Sequence, residues 1–244
     1  MDVSLYSSAA AMNATERWQD MIAQNLTSSS VPGSRQQAVS FSSVQEGVEG
    51  ADGTPLVIPS LSSAVNTQQG ELQASGNNLD FALEGPGFFT VQLPDGSNAY
   101  TRNGEFQLNS QGQMVTKQGY PVVSDSGPIK FDPNNTAPIT ITADGDVSQG
   151  ADVKGKMTPV EFNQPQSLTP MAGGLFRNDN PADPPVPGTN TQVRQGFIEG
   201  ANSSPTLVMA SMITAMRLFE TNEKVMSMQS DRMTKSITEL SGTS

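Results

Sequence analysis

The stretch Pro205-Thr206-Leu207-Val208-Met209-Ala210-Ser211-Met212-Ile213-Thr214-Ala215-Met216-Arg217-Leu218-Phe219-Glu220 opens a run with no further Pro, and no Gly before Gly242. Pro and Gly are the strongest helix breakers, so the run predicts one helix of about 54 Å at 1.5 Å per residue. Met212, Phe219, Met226, Met233 and Leu240 fall seven residues apart, an apolar column in heptad register. The neighbouring column, Ala215, Asn222, Gln229 and Ser236, is small or polar. Glu220, Glu223, Lys224, Asp231, Arg232 and Lys235 lie outside both columns, and Glu220 precedes Lys224 in the favourable i, i+4 order. So narrow a stripe leaves two readings: one helix of an ordinary bundle, or half of a coiled coil that a partner completes.

The opposite end repeats the theme. Residues 3–26 contain no Pro or Gly; Leu5, Met12 and Leu26 share one seven-residue column, interrupted by Gln19, with Ile22 beside it. Trp18 falls inside this helix and reads as a packing residue. Val31-Pro32-Gly33 ends it, because Pro cannot continue a helix and Gly supplies a turn. The expectation is a pair of terminal helices meeting each other and neighbouring copies. Leu5, Met12, Ile22, Leu26, Met212, Phe219, Met226, Met233 and Leu240 are then the candidate assembly seam.

Between the ends the pattern changes. Residues 31–68 are polar and Ser- and Gln-rich, and read as an extended linker with one or two short strands and a mobile loop at 46–53. Residues 69–200 alternate short apolar runs with turn signals such as Gly85-Pro86-Gly87, Pro94-Asp95-Gly96, Asn103-Gly104 and Asp144-Gly145, the pattern of an antiparallel β domain. Candidate strands lie at 80–83, 88–93, 99–101, 106–108, 114–116, 121–123, 129–131, 139–142, 155–162 and 195–200. The Pro-rich 180–188 reads as a stiff, exposed connector. The fold class is therefore α+β: terminal helices (1–30 and 201–244) pairing as a coiled-coil or bundle layer, a linker at 31–68, and a central, mostly antiparallel β domain at 69–200.

Composition excludes several functions. There is no Cys and no His among 244 residues, which removes thiol catalysis, Cys or His zinc sites and the commonest general base. A net charge of −11 repels phosphate backbones and anionic lipid surfaces, so nucleic acid is not an expected partner. No stretch approaches the eighteen consecutive apolar residues of a membrane span, and the N-terminus lacks the basic and apolar regions of a cleaved secretory signal. Neither membrane insertion nor classical secretion is expected.

Three constellations invite chemistry. Gly150-Ala151-Asp152-Val153-Lys154-Gly155-Lys156 matches the first seven positions of a phosphate loop, but Met157 replaces the metal-binding hydroxyl and Thr158-Pro159 continues where a helix must start. Asp144-Gly145-Asp146 resembles the opening of a calcium loop, but Ser148 and Gly155 occupy later ligand positions, so a β-turn accounts for it better. Asp80, Glu84, Asp95, Glu105 and Asp132 supply carboxylates for glycoside hydrolysis, yet no spacing singles out a pair. No cofactor, metal or catalytic residue is expected. A cell-wall carbohydrate hydrolase and an acidic binding module are kept as alternatives from other classes.

Longer blocks carry a resemblance. Ile22-Ala23-Gln24-Asn25-Leu26-Thr27-Ser28-Ser29-Ser30-Val31-Pro32-Gly33 is similar to the signature that ends the first helix of the bacterial flagellar rod and hook family. Ser34 follows where an aromatic is usual. Leu79-Asp80-Phe81-Ala82-Leu83-Glu84-Gly85-Pro86-Gly87-Phe88-Phe89, Ala99-Tyr100-Thr101-Arg102-Asn103-Gly104-Glu105-Phe106 and Gln195-Gly196-Phe197-Ile198-Glu199-Gly200-Ala201-Asn202 resemble the family's central and C-terminal blocks, in order. The resemblance implies a structural, non-enzymatic subunit of the basal-body rod whose terminal helices pack with other rod subunits and with copies of itself. It also implies delivery by the flagellar type III export apparatus to the periplasmic rod, without a cleaved signal peptide. Chain length and Arg217-Leu218-Phe219-Glu220 point to the proximal rod, with a distal-rod or hook-type subunit as the alternative.

Overall fold

A computed structural model of the chain describes residues 3–49 and 55–241. Among these there are two α-helices, α1 (Val3–Ser28) and α2 (Pro205–Ser241), and every strand pairing with a stated direction is antiparallel, so the fold is α+β. The chain divides into two compact units: the helices with residues 38–63, and residues 27–37 with 64–204.

In the helical unit, α1 ends where the sequence predicts, with Val31 N–H donating to Ser28 O at 2.9 Å. Pro205 opens α2, where its missing N–H leaves nothing unsatisfied. The one or two short strands expected in 31–68 are two longer ones, β1 (Gln37–Glu49) and β2 (Pro55–Val65), paired in a two-stranded sheet. The Ser-rich composition hides how far the strands extend, but Val39 and Phe41 alternate with Ala38 and Ser40 as a strand requires. Glu46 to Glu49, expected in a loop, belong to β1; the rest of that expected loop lies outside the described residues. Trp18 meets Phe41 edge-on, with ring centroids 5.4 Å apart.

In the β unit, a four-stranded sheet runs in the order Thr169–Met171, Leu175–Arg177, Asn98–Thr101, Phe89–Gln92. Adjacent residues point to opposite faces of a strand, and here both faces are covered. Phe89, Ala99 and Leu175 enter one apolar cluster with Phe81, Met114 and Ile129, while Phe88, Tyr100 and Phe176 enter a second with Val65, Phe162 and Leu168. The consecutive pairs Phe88/Phe89, Ala99/Tyr100 and Leu175/Phe176 therefore straddle the sheet.

Most candidate strands appear within a residue or two, with three informative differences. Residues 129–131 are not a strand, although Ile129 and Phe131 are buried in the core. The expected strand at 155–162 is two, Asp152–Lys156 and Val160–Glu161. The run expected at 195–200 is also cut: Gly196, at φ +78, separates Gln192–Gln195, paired with Phe81–Glu84, from Phe197–Glu199, paired with Leu72–Ala74. A single flat strand cannot serve two partners in different sheets, and the left-handed glycine makes the break.

Candidate assembly surface

Three pairs fix how α1 and α2 meet. Ser8 Oγ donates to Gln229 Oε1 at 3.3 Å, Asn222 Nδ2 donates to Thr15 Oγ1 at 3.2 Å, and Ile22 packs with Ala215. Each step of seven along α1 moves the partner back seven along α2, so the helices run antiparallel. Gln19 adds a bond from Nε2 to Ala215 O at 3.3 Å. The column facing α1 is thus the small and polar one, preceded by Val208. Ala215 admits close approach of the backbones, and Asn222 and Gln229 find hydroxyl partners.

The predicted seam residues take different places. Ile22 is buried with Val208 and Ala215, and Trp18, Leu26 and Met212 pack around them. Met12, Phe219 and Met226 are half-buried, and Met233 is exposed. Leu5 and Leu240 stand in the helices, but their side chains lie outside the described residues. The structure thus brings Ile22, Leu26 and Met212 together and leaves Met233 to solvent.

Beyond this column α2 remains apolar on other faces. Leu207, Leu218, Val225 and Met228 are exposed along one line of three- and four-residue steps completed by Ser211, Thr214 and Thr221. Met209, Ile213 and Met216 form a second exposed line. Isolated exposed apolar residues are ordinary on a protein surface, whereas contiguous lines mark interaction surfaces.

The β unit contains a charged centre that the sequence did not disclose. Gly33 N–H donates to Glu199 O at 2.7 Å, and Asn202 N–H to Ser34 O at 3.2 Å, so the chain leaving α1 lies beside the chain about to enter α2. Asn202 clasps the same segment: its Oδ1 accepts from Gln36 N–H at 2.7 Å, and its Nδ2 donates to Asn66 O and Gln68 O, each at 2.9 Å. Inside, Glu199 is fully buried between two guanidinium groups. Arg35 Nη1 lies 2.6 Å from Oε1, which also accepts from Gly70 N–H at 2.8 Å, and Arg102 Nη1 lies 3.4 Å from Oε2. Arg102 also donates to Gly85 O at 2.5 Å and sits over the Phe88 ring, 5.0 Å from its centroid. Burial pulls the Arg102 pKa down to about 10, with Glu199 opposing the shift. Arg102 and Glu199 fall in the quoted blocks, but only the fold reveals that Arg35, in a polar segment, completes the triad.

The carboxylates considered for catalysis are engaged locally. Glu84 pairs with Arg194 at 2.6 Å and Glu105 with Lys117 at 2.8 Å. Asp80 accepts from Asn77, Asp95 from Ser97 and Asp132 from Asn134 N–H. Asp152–Lys156 is a strand, so the phosphate-loop match lacks its helix, and Thr142–Gly145 closes a turn through Gly145 N–H to Thr142 O at 2.9 Å. Among the described residues no helix is long and apolar enough to cross a membrane.

Comparison with known proteins accounts for this architecture. Residues 82–149 match the flagellar hook protein FlgE/F/G D1 domain, and residues 194–240 the C-terminal region of flagellar basal body rod FlgEFG proteins. The chain is 32% identical to the flagellar basal-body rod protein FlgF of Caulobacter vibrioides over 231 residues, covering 93% of each chain. It is also 32% identical to FlgF of Escherichia coli over 249 residues, covering 95% of each. It is 29% identical to the flagellar basal-body rod protein FlgG of Buchnera aphidicola over 264 residues, 97% of this chain and 99% of that one. With end-to-end similarity of this extent, and two terminal helices framing a β unit, the chain belongs to the flagellar basal-body rod protein family.

Proposed function

We propose that the chain is a non-catalytic structural subunit of the proximal rod. In this reading it reaches the periplasmic rod through the flagellar type III export apparatus and polymerises through its terminal helices, helping to form drive shaft and export channel. Residues 1–30 and 201–244 form the assembling α domain as a coiled-coil layer, 31–68 connect it, and 69–200 form the β domain. Ile22, Leu26 and Met212 hold the two helices of one subunit together. Phe219, Met226 and Met233, with Leu5, Met12 and Leu240, meet other rod subunits and further copies of this chain.

The observation that supports the reading is the apolar surface of α2 that α1 leaves uncovered. Each such side chain buried at an interface contributes about 1.5–3 kcal/mol, so several together offset the entropy of ordering a long helix. The proximal position draws its support from the sequence itself. Identity to FlgF of Caulobacter vibrioides and of Escherichia coli is 32%, against 29% to FlgG of Buchnera aphidicola, and Arg217-Leu218-Phe219-Glu220 points the same way.

Phe219→Asp tests the reading. The variant should keep a folded β unit and be missing from purified hook–basal bodies, and normal incorporation would sink the proposal. Immunogold label on the inner rod rather than its distal part supports the proximal position.

A further inference from the structure

Six of the twelve methionines lie on α2, and the chain has no cysteine, so thioethers are its only oxidisable sulfur. Their exposure ranges widely, with Met12, Met171, Met212 and Met226 half-buried. Met228 is 59%, Met209 52%, Met216 51% and Met233 42% exposed, whereas Met114 and Met157 in the β core are at 0% and 1%. Thioether oxidation requires contact with the oxidant, and its product is a polar, chiral sulfoxide that packs poorly against apolar surfaces.

We infer that Met209, Met216, Met228 and Met233 form a peroxide-reactive modification site that makes assembly competence of the unassembled subunit sensitive to oxidation. The sulfur lone pair attacks one oxygen of hydrogen peroxide and the O–O bond breaks. The thioether loses two electrons and becomes a sulfoxide, and the other oxygen leaves as water. Each event places a strong dipole on an apolar line of α2, while the β core keeps its own methionines shielded. The consequence for assembly rests on the polymerisation reading above; the selectivity of oxidation does not.

Two measurements test it. In the first, the purified full chain is exposed to hydrogen peroxide, and the rate at each methionine is read by peptide mass mapping. Met209, Met216, Met228 and Met233 should oxidise about tenfold or more faster than Met114 and Met157. Equal rates would overturn the site. In the second, cells carry either the natural chain or the M209L/M216L/M228L/M233L variant, and incorporation into rods under sublethal peroxide is read for each strain relative to the same strain without peroxide. Incorporation of the natural chain should fall severalfold and that of the variant should hold. Equal loss, or no loss in either, overturns the effect on assembly. If the same methionines oxidise as fast in purified basal bodies as in the free chain, the assembly reading fails instead, because no neighbour covers them.

Discussion

Arg35 and Glu199 meet at 2.6 Å with both side chains buried, although one belongs to the segment leaving the first helix and the other to the segment approaching the last. Arg102 supplies a second cation to the same carboxylate. The cost of desolvating three charges is met only while all three are present.

Glu199→Gln should therefore destabilise the β unit by about 3–5 kcal/mol, since it leaves two buried guanidinium groups without a counter-charge. Replacing the whole triad (R35M/R102M/E199L) should recover much of that loss. Urea unfolding of the full-length variants measures both; a midpoint for Glu199→Gln equal to that of the natural chain would contradict the account.

Gly104 and Gly96 separate close approach from backbone freedom. A Cβ on Gly104 would stand 1.7 Å from Phe81 O, whereas one on Gly96, at φ +83, would meet nothing within 4 Å. Gly104→Ala should cost roughly 3 kcal/mol or more and Gly96→Ala about 1 kcal/mol, the first by steric collision and the second by strain alone. Thermal melts of the two variants give the comparison.

Ala215 is fully buried where α2 crosses Ile22. Ala215→Leu should push the helices apart at a cost of about 1–3 kcal/mol. Amide exchange should quicken in both helices and remain unchanged in the strands of the four-stranded sheet.

Asp95 and Asp179 are held below the usual carboxylate range, Asp95 chiefly by the Ser97 hydroxyl and Asp179 chiefly by Arg177. Because the folded chain holds these protons less tightly, their stabilisation is full above pH 3.8 and is lost as pH falls through the lowered values. Both groups are exposed, so the contribution is small and screened. Asp179→Asn should shift the acid-unfolding midpoint slightly at low salt and not at about 1 M salt.

The helices were the most legible part of the sequence, because uninterrupted heptad spacing and flanking Pro and Gly act locally. Ala215, Asn222 and Gln229 read as half a seam, yet they face α1, since close approach and hydrogen bonding do the work that bulk does elsewhere. The length of β1 and β2 was hidden by serines, which suit a solvent-facing strand but carry no apolar period. Arg35 was invisible as a site residue because its partners come from far along the chain, and only the fold brings them together. Spacing offered candidates for a seam, but which of them pair within the subunit required the antiparallel register.

The single tryptophan of the chain, Trp18, stands edge-on to Phe41 in the helical unit, while Tyr100 and Tyr120 belong to the β unit. Indole emission therefore reports on the helical unit. An unfolding experiment followed by indole fluorescence for the helical unit and by amide exchange in the strands for the β unit can time the loss of the two units independently, with no label added to the chain.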